Sequence, residues 1–396
     1  MVKPAERAEK LLYARNLKMA RSAHAYVRGS TAKFYTWLGE SRGQIPEGPP
    51  VWICGDCHVG NLGPIADAKG RVAVQIRDLD QTVIGNPAHD LIRLGLSLAS
   101  AARGSDLPGV TTAKILEHLV VGYETALAGK FDSQREKLFR PSGIQKLLSL
   151  SIRRRWRHLA QERLETVEPV IPLGRKFWVL TDEERLALAD LFQQAEVREA
   201  LSRFKGRAPS EPIKLIDAAY WVKGCSSLGR MRYAAMVRIG QGANATVCLV
   251  DVKEGVTAAA PRQANAAMPR DNAVRVVTGA KALSPHLGDR MIAARLLGSG
   301  VILRELMPQD LKIEVNRLSQ PEAMGLAAYL AGVVGRAHGR QMDAETRARW
   351  LKEFGKAHTL TLDAPSWLWS SVVDLVSVHE AAYLDHCRRF ALAAAA

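Results

Sequence analysis

Cysteine is scarce in this chain: five residues in 396, an odd number. So low and odd a count fits a reducing compartment better than a disulfide framework. Long apolar runs are missing too. No stretch reaches the roughly 18 uninterrupted apolar residues that a membrane span needs, so no membrane partner is expected. The opening residues, MVKPAERAEKLL, lack an apolar core and a small-residue cleavage site, so no secretory signal is expected and the chain reads as cytoplasmic. Acidic residues are outnumbered, 40 against 55 Lys and Arg, which leaves a formal charge of +15. That excess favours anionic partners such as nucleotides, phosphorylated metabolites or nucleic acid. The length allows a large core or two lobes.

The strongest basic run is Arg153-Arg154-Arg155-Trp156-Arg157-His158. It could grip a phosphate backbone, but no nucleic-acid motif accompanies it, and a solvated helix face is the preferred reading. The chemistry concentrates elsewhere, in residues 51–91: VWICGDCHVGNLGPIADAKGRVAVQIRDLDQTVIGNPAHDL. A Gly-Asp-x-His-x-x-Asn loop is followed by a hairpin and an Asp-x-Asp. Asp56 and Asn61 have the spacing of the H-R-D-x-x-x-x-N catalytic loop of kinases. One acid to orient a hydroxyl, with an amide and a carboxylate for a metal, is the minimum kit for phosphoryl transfer.

In that reading Asp56 accepts or orients the proton of a substrate hydroxyl. The bland alternative is a buried Asp that fixes its loop. His58, the second catalytic candidate, is expected to support the loop rather than act as base. Asn61 and Asp78 would hold Mg²⁺, a hard ion that wants oxygen ligands. Asp80 is either a further metal ligand or the cap of the following turn. Asp90 is expected to pin the loop from the next helix. Cys54 and Cys57 form a C-x-x-C, which alone suggests a redox pair or half a zinc site. The sequence has no second C-x-x-C and no H-x-x-x-H to complete such a site.

This block resembles the catalytic centre of the aminoglycoside and choline kinase type of phosphotransferase. The H-G-D-x-H-x-x-N motif falls on Gly55, Asp56, His58 and Asn61, with Cys54 in place of the leading His. The I-D-x-x-x-x-x-x-G-x-P-x-x-D motif falls on Asp78, Gly85, Pro87 and Asp90. More closely, the chain resembles a bacterial family known as domain of unknown function 2252. The likeness runs over residues 55–61, 77–82 and 85–94, the upstream RSAHAYVRG, and a downstream Gly-Ser segment and strand Lys. It implies a kinase-like fold and an ATP site, and it implies no particular substrate.

The kinase parts are in unusual order. The catalytic loop comes first. A glycine-rich candidate, with Gly224, Ser226, Ser227 and Gly229, comes only later and lacks the middle glycine of G-x-G-x-x-G; its hydroxyls and backbone N–H groups could still cradle phosphate. Lys253 follows on a strand, where a phosphate-contacting lysine belongs. Leu303-Arg304-Glu305-Leu306 resembles a hinge. Helix 321–341 resembles the one that leads into the catalytic loop. Each half keeps kinase order and the halves are swapped, which reads as a circular permutation. There is no Glu between residues 255 and 304 to clamp Lys253. Asp271 and Asp289 are the substitutes on offer.

The expected architecture is α+β, a two-lobed protein-kinase-like fold in permuted order. Residues 1–215 would carry the catalytic loop, 216–315 a β-rich nucleotide lobe, and 316–396 helices that complete the first. In detail, one or two helices are expected over 4–40, strands at 51–54, 62–66 and 71–77, and helices between 90 and 130. Strands are expected at MRYAAMVRI, ATVCLVDVK and VILREL, with helices near 272–283 and 289–297. The expected activity is Mg²⁺- and ATP-dependent phosphoryl transfer to a hydroxyl of a small molecule. The rivals are an inactive nucleotide-binding pseudokinase or scaffold, and an AMP transferase on the same fold.

Overall fold

Serine decides how the first helices divide. Ser22 accepts from Ala25 N–H at 3.1 Å and Ser30 donates to Val27 O at 3.2 Å. Both hydroxyls compete with the helix ladder. Residues 4–40 therefore form not one or two helices but three, α1 (Arg7–Met19), α2 (Ala23–Gly29) and α3 (Thr31–Glu40), after a short 3₁₀ turn. The computed structural model describes residues 2–41, 44–131, 136–137, 140–154, 170–203, 211–223, 230–241, 245–313, 318–356, 358–359 and 362–390.

Strand β1 (Val51–Ile53) enters the loop, and β2 (Leu62–Ala66) and β3 (Val72–Ile76) form the hairpin after it. Gly70 turns that hairpin with φ +77°. Strand β4 (Val83–Gly85) returns to pair antiparallel with β1. Helix α4 (Pro87–Arg103) starts from an Asn86 cap with Pro at its first position. Helices α5 (Val110–Leu127) and α6 (Ser142–Arg153) follow.

The largest sheet has six strands, all antiparallel. It comprises β5 (Phe177–Trp178), β6 (Ile213–Trp221), β7 (Arg232–Ile239), β8 (Thr246–Glu254), β9 (Met291–Leu296) and β10 (Ser299–Glu305), in the spatial order 5-6-7-8-10-9. Two of these strands begin before residue 216. Helices α7 (Asp182–Leu191) and α8 (Ala195–Arg203) cover one face, where Leu188, Phe192 and Val197 pack on Tyr233, Val250, Val252 and Leu303. Because side chains alternate along a strand, β8's Asp251 and Lys253 point to the opposite face.

Helix α9 (Asn272–Leu283) lies where the sequence expects it, and α10 (Pro285–Gly288) is a single turn. The helix expected near 289–297 is instead strand β9. Leu297 and Gly298 both take positive φ, +48° and +78°, which makes a tight hairpin turn into β10. Pairing with β10 overrides the helix preference of the Ala-, Leu- and Arg-rich run.

The long helix α11 (Gln320–Gly339) packs along α5. Gly122 makes the approach possible: a Cβ there would lie 2.0 Å from Ala328 O. Helix α12 (Ala344–Phe354), a small hairpin of β11 (His358–Thr359) and β12 (Leu362–Pro365), and α13 (Ser366–Phe390) close the chain. Among the described residues no helix is long and apolar enough to cross a membrane.

Candidate functional site

Gly55 fixes the turn that presents Asp56. Its φ is +74°, and a Cβ there would meet Gln81 O at 2.1 Å, so only glycine fits. Asp90, in the first turn of α4, holds this turn from behind. It accepts from Cys54 N–H at 2.7 Å and from Gly55 N–H at 2.9 Å. Behind it runs a chain of hydrogen bonds whose direction is settled by donor chemistry. Trp350 Nε1 can only donate, and it reaches the Tyr123 hydroxyl at 3.0 Å. That hydroxyl then donates to His338 Nδ1 at 3.1 Å, which leaves His338 Nε2–H for Asp90 Oδ2 at 3.2 Å. The expected pinning role of Asp90 is what the geometry gives.

Asp56 is buried, and Arg93 Nε donates to its Oδ1 at 2.9 Å. Burial raises its pKa, against the pull of Arg93 and Thr31. Its backbone oxygen accepts from Asn61 Nδ2 at 3.0 Å. His58 Nε2 lies 3.7 Å from Asp56 Oδ2, and His58 Nδ1 is buried without a hydrogen-bond partner. Burial, followed by the charges of Arg28 and Arg93, holds this imidazole neutral, with its pKa well below the usual value. His58 lines a cleft together with Asn61, Asp78, Asp80 and Lys253; Asp56 sits behind that wall.

The opposite wall is the polar face of the six-stranded sheet. Lys253 stands opposite Arg232 on β7 and Ile302 on β10, while Arg304 stands opposite Asp251. Lys253 Nζ pairs with Asp80 and, at 3.4 Å, with Asp78 Oδ1. Arg232 clamps Asp251 through two bonds of 2.9 and 2.5 Å, and Arg304 Nη2 approaches the same carboxylate at 3.5 Å. Burial works against the charge of Asp78, but Lys253, Arg232 and Arg304 outweigh it and hold its pKa below the usual carboxylate range. Burial and the Asp78 charge push Asp80 the other way, up. The Asp78 side chain keeps 38% of its surface open.

Neither proposed substitute clamps Lys253. Asp271 is spent on the cap of α9, accepting from Ala273 N–H at 2.8 Å and Val274 N–H at 3.0 Å. Asp289 closes α10. The buried group that α9 turns inward is Arg275, which donates to Asp80 O at 3.1 Å and Val256 O at 2.6 Å. Glu305, the hinge candidate, is buried at the end of β10, and its backbone oxygen accepts from Arg290 Nη1 at 2.8 Å. Gly224, Ser226, Ser227 and Gly229 lie outside the described residues.

Sequence reasoning passed over much of the cleft's charge. Lys18, Arg28, Arg77, Lys223, Arg232, Arg304 and Lys312 line it beside Lys253. The signal was present in Met231-Arg232-Tyr233 and Leu303-Arg304, single charges inside apolar strands. Cys54, Cys57 and Asp90 bring ligand atoms within 4.8 Å of one another. Asp90 is already taken by three donors, however. The thiol–thiol hydrogen bond and burial push Cys54 well up, and burial raises Cys57 against the same contact. Two protonated thiols behind the loop fit a structural role better than a metal site.

For an oxygen-seeking divalent ion the fit is good. Asn61 turns its Nδ2 inward to Asp56 O, so its amide oxygen is the end left for a cation. Asp78 and Asp80 supply carboxylates that already surround a positive charge.

No curated protein and no solved structure matches the chain. A family model does, from residue 7 to residue 389, and its span takes in both walls of the cleft. The chain thus belongs to the DUF2252 family, described as uncharacterized protein conserved in bacteria.

Proposed function

We propose that the cleft binds ATP with Mg²⁺ and transfers its γ-phosphoryl group to a hydroxyl. What carries the reading is the meeting of Asn61, Asp78 and Asp80 with Lys253 across one cleft, although Lys253 is 175 residues away from Asp78 in the chain. In this reading the fold is two-lobed and kinase-like, with the sheet as the nucleotide lobe and its halves permuted. A contact at the proposed break supports that order. Gln341, just past α11, accepts from Trp52 N–H at 2.8 Å and donates to Trp52 O at 3.0 Å. The helix expected to precede the catalytic loop thus ends against the strand that enters it.

Asn61, Asp78 and Asp80 would hold Mg²⁺, which neutralises charge on the phosphates when bound. Lys253 then exchanges its carboxylate partners for phosphate oxygens. At the other end, the acceptor oxygen bonds to the γ-phosphorus as the bond to the β–γ bridging oxygen breaks, and ADP leaves with that electron pair. The hydroxyl proton passes to the Asp56–His58 pair. Asp56, whose pKa burial raises, is the acceptor of the pair, and the neutral His58 supports the loop beside it.

Product analysis tests this. Incubated with Mg²⁺ and ATP, the wild type should release ADP and phosphate slowly, because water can stand in for the acceptor. Asp56→Asn should cut the rate by about 10²–10⁴-fold with nucleotide binding retained. AMP and pyrophosphate would instead identify an adenylyl transferase. Nucleotide binding without turnover on any hydroxyl compound would identify a pseudokinase.

A further inference from the structure

The cleft holds more positive charge than a nucleotide needs. Among the described residues eight basic side chains and three carboxylates line it, an excess of five charges. A magnesium–nucleoside triphosphate brings only about two net negative charges. The basic groups also fall into two sets. Those on or next to the sheet have partners there: Arg232 and Arg304 with Asp251, Lys253 with Asp78 and Asp80, and Lys223, just after β6, over the Trp221 ring.

The second set comes from other elements, around Gly60, the residue just before Asn61. Arg28, near the end of α2, lays its guanidinium on Gly60 so closely that a Cβ there would stand 2.8 Å from the guanidinium carbon. The Arg28 Nε is buried without a hydrogen-bond partner. Lys18 from α1, Arg77 after β3 and Lys312 after β10 gather at the same place, near enough that the other three cations act on Lys312. Like charges this close repel one another, and the cost of keeping them together is offset when an anion binds between them. A glycine that lets a guanidinium reach the loop beside His58 puts that anion next to the proposed point of phosphoryl transfer.

We infer that the hydroxyl acceptor is itself an anion, carrying a phosphate or comparable oxyanion group that Arg28, Lys18, Arg77 and Lys312 bind beside His58. This rests on the proposed phosphotransfer and narrows its substrate class. A cationic acceptor such as an aminoglycoside or choline would meet repulsion on this wall. Arg28 supplies planar, paired donors for the oxyanion, and the lysines supply point charges.

Two separate calorimetric titrations test the inference. A non-hydrolysable ATP analogue with Mg²⁺ is titrated first; failure at this step removes the phosphotransfer reading, and the phosphate titration is then run on the nucleotide-free protein. Inorganic phosphate is titrated second, into protein saturated with the analogue. Phosphate should bind, choline should not, and Arg28→Gln should weaken phosphate at least about tenfold while analogue affinity stays within about twofold. Should Arg28→Gln fail to fold, Lys18→Gln/Lys312→Gln replaces two exposed lysines and should give the same loss. No phosphate binding to the wild type, binding unchanged in the folded variant, or choline bound in place of phosphate overturns the anionic acceptor.

Discussion

Asp90 is where the account can be tested most sharply on stability. Its fully buried carboxylate accepts from the backbone N–H groups of Cys54 and Gly55 and from His338, at 2.7, 2.9 and 3.2 Å. Replacing it with Ala removes the acceptor and leaves Cys54 N–H and Gly55 N–H in an apolar interior. Hydrogen bonds to charged groups contribute about 1.5–3 kcal/mol each, and a buried donor left without a partner costs about 1–3 kcal/mol. These overlap rather than add. Breaking a buried charged contact by removing one partner costs about 3–5 kcal/mol, and that is the loss expected for Asp90→Ala. Asp90→Asn keeps the size and one good acceptor but sets an amide N–H₂ against one donor, so about 2–3 kcal/mol is expected. Denaturant unfolding monitored by tryptophan fluorescence measures both. A loss below about 1 kcal/mol in Asp90→Ala, with an unchanged denaturant slope, would refute the claim that this carboxylate holds the loop.

Two further outcomes follow from the same geometry. Gly122→Ala should destabilise the protein by about 1–3 kcal/mol, because its Cβ would lie 2.0 Å from a backbone oxygen of α11 and the helices must separate; thermal unfolding measures it, and an unchanged midpoint contradicts the close packing. Although its side chain is exposed overall, Lys312 has its pKa lowered to about 8, by desolvation first and then by Arg77, Arg28 and Lys18, with Asp78 opposing. A lysine is charged below its pKa, so phosphate affinity of the wild type should fall as pH rises through about 8. Lys312→Gln should lack that step, and identical pH profiles for the two proteins would contradict it.

The loop over residues 55–61 was legible as a unit because its geometry is local. Gly55, Asp56, His58 and Asn61 lie within one turn and one short 3₁₀ segment, and the Asp90 anchor lies in the first turn of the next helix. Lys253 was legible because V-D-V-K alternates core and cleft in a strand. The partners of these residues were not legible, since they come from distant segments. Arg93, which covers Asp56, is in the middle of a helix that reads as continuous core. His338, which holds Asp90, belongs to a helix more than 240 residues later. The lack of a glutamate for Lys253 could be read from sequence, but its resolution through Asp78 and Asp80 needed the two walls in contact. Strand β9 was misread because its composition favours a helix, and only the positive φ at Leu297 and Gly298 reveals the hairpin.

Asn61, Asp78 and Asp80 are proposed to form a metal-dependent nucleotide site. The most direct measurement is calorimetric titration of a non-hydrolysable ATP analogue into the wild type and Asp78→Asn, each with and without Mg²⁺. Mg²⁺ should strengthen binding to the wild type at least about tenfold, and Asp78→Asn should lose most of that gain while remaining folded. Equal affinity with and without Mg²⁺ in the wild type would contradict the account.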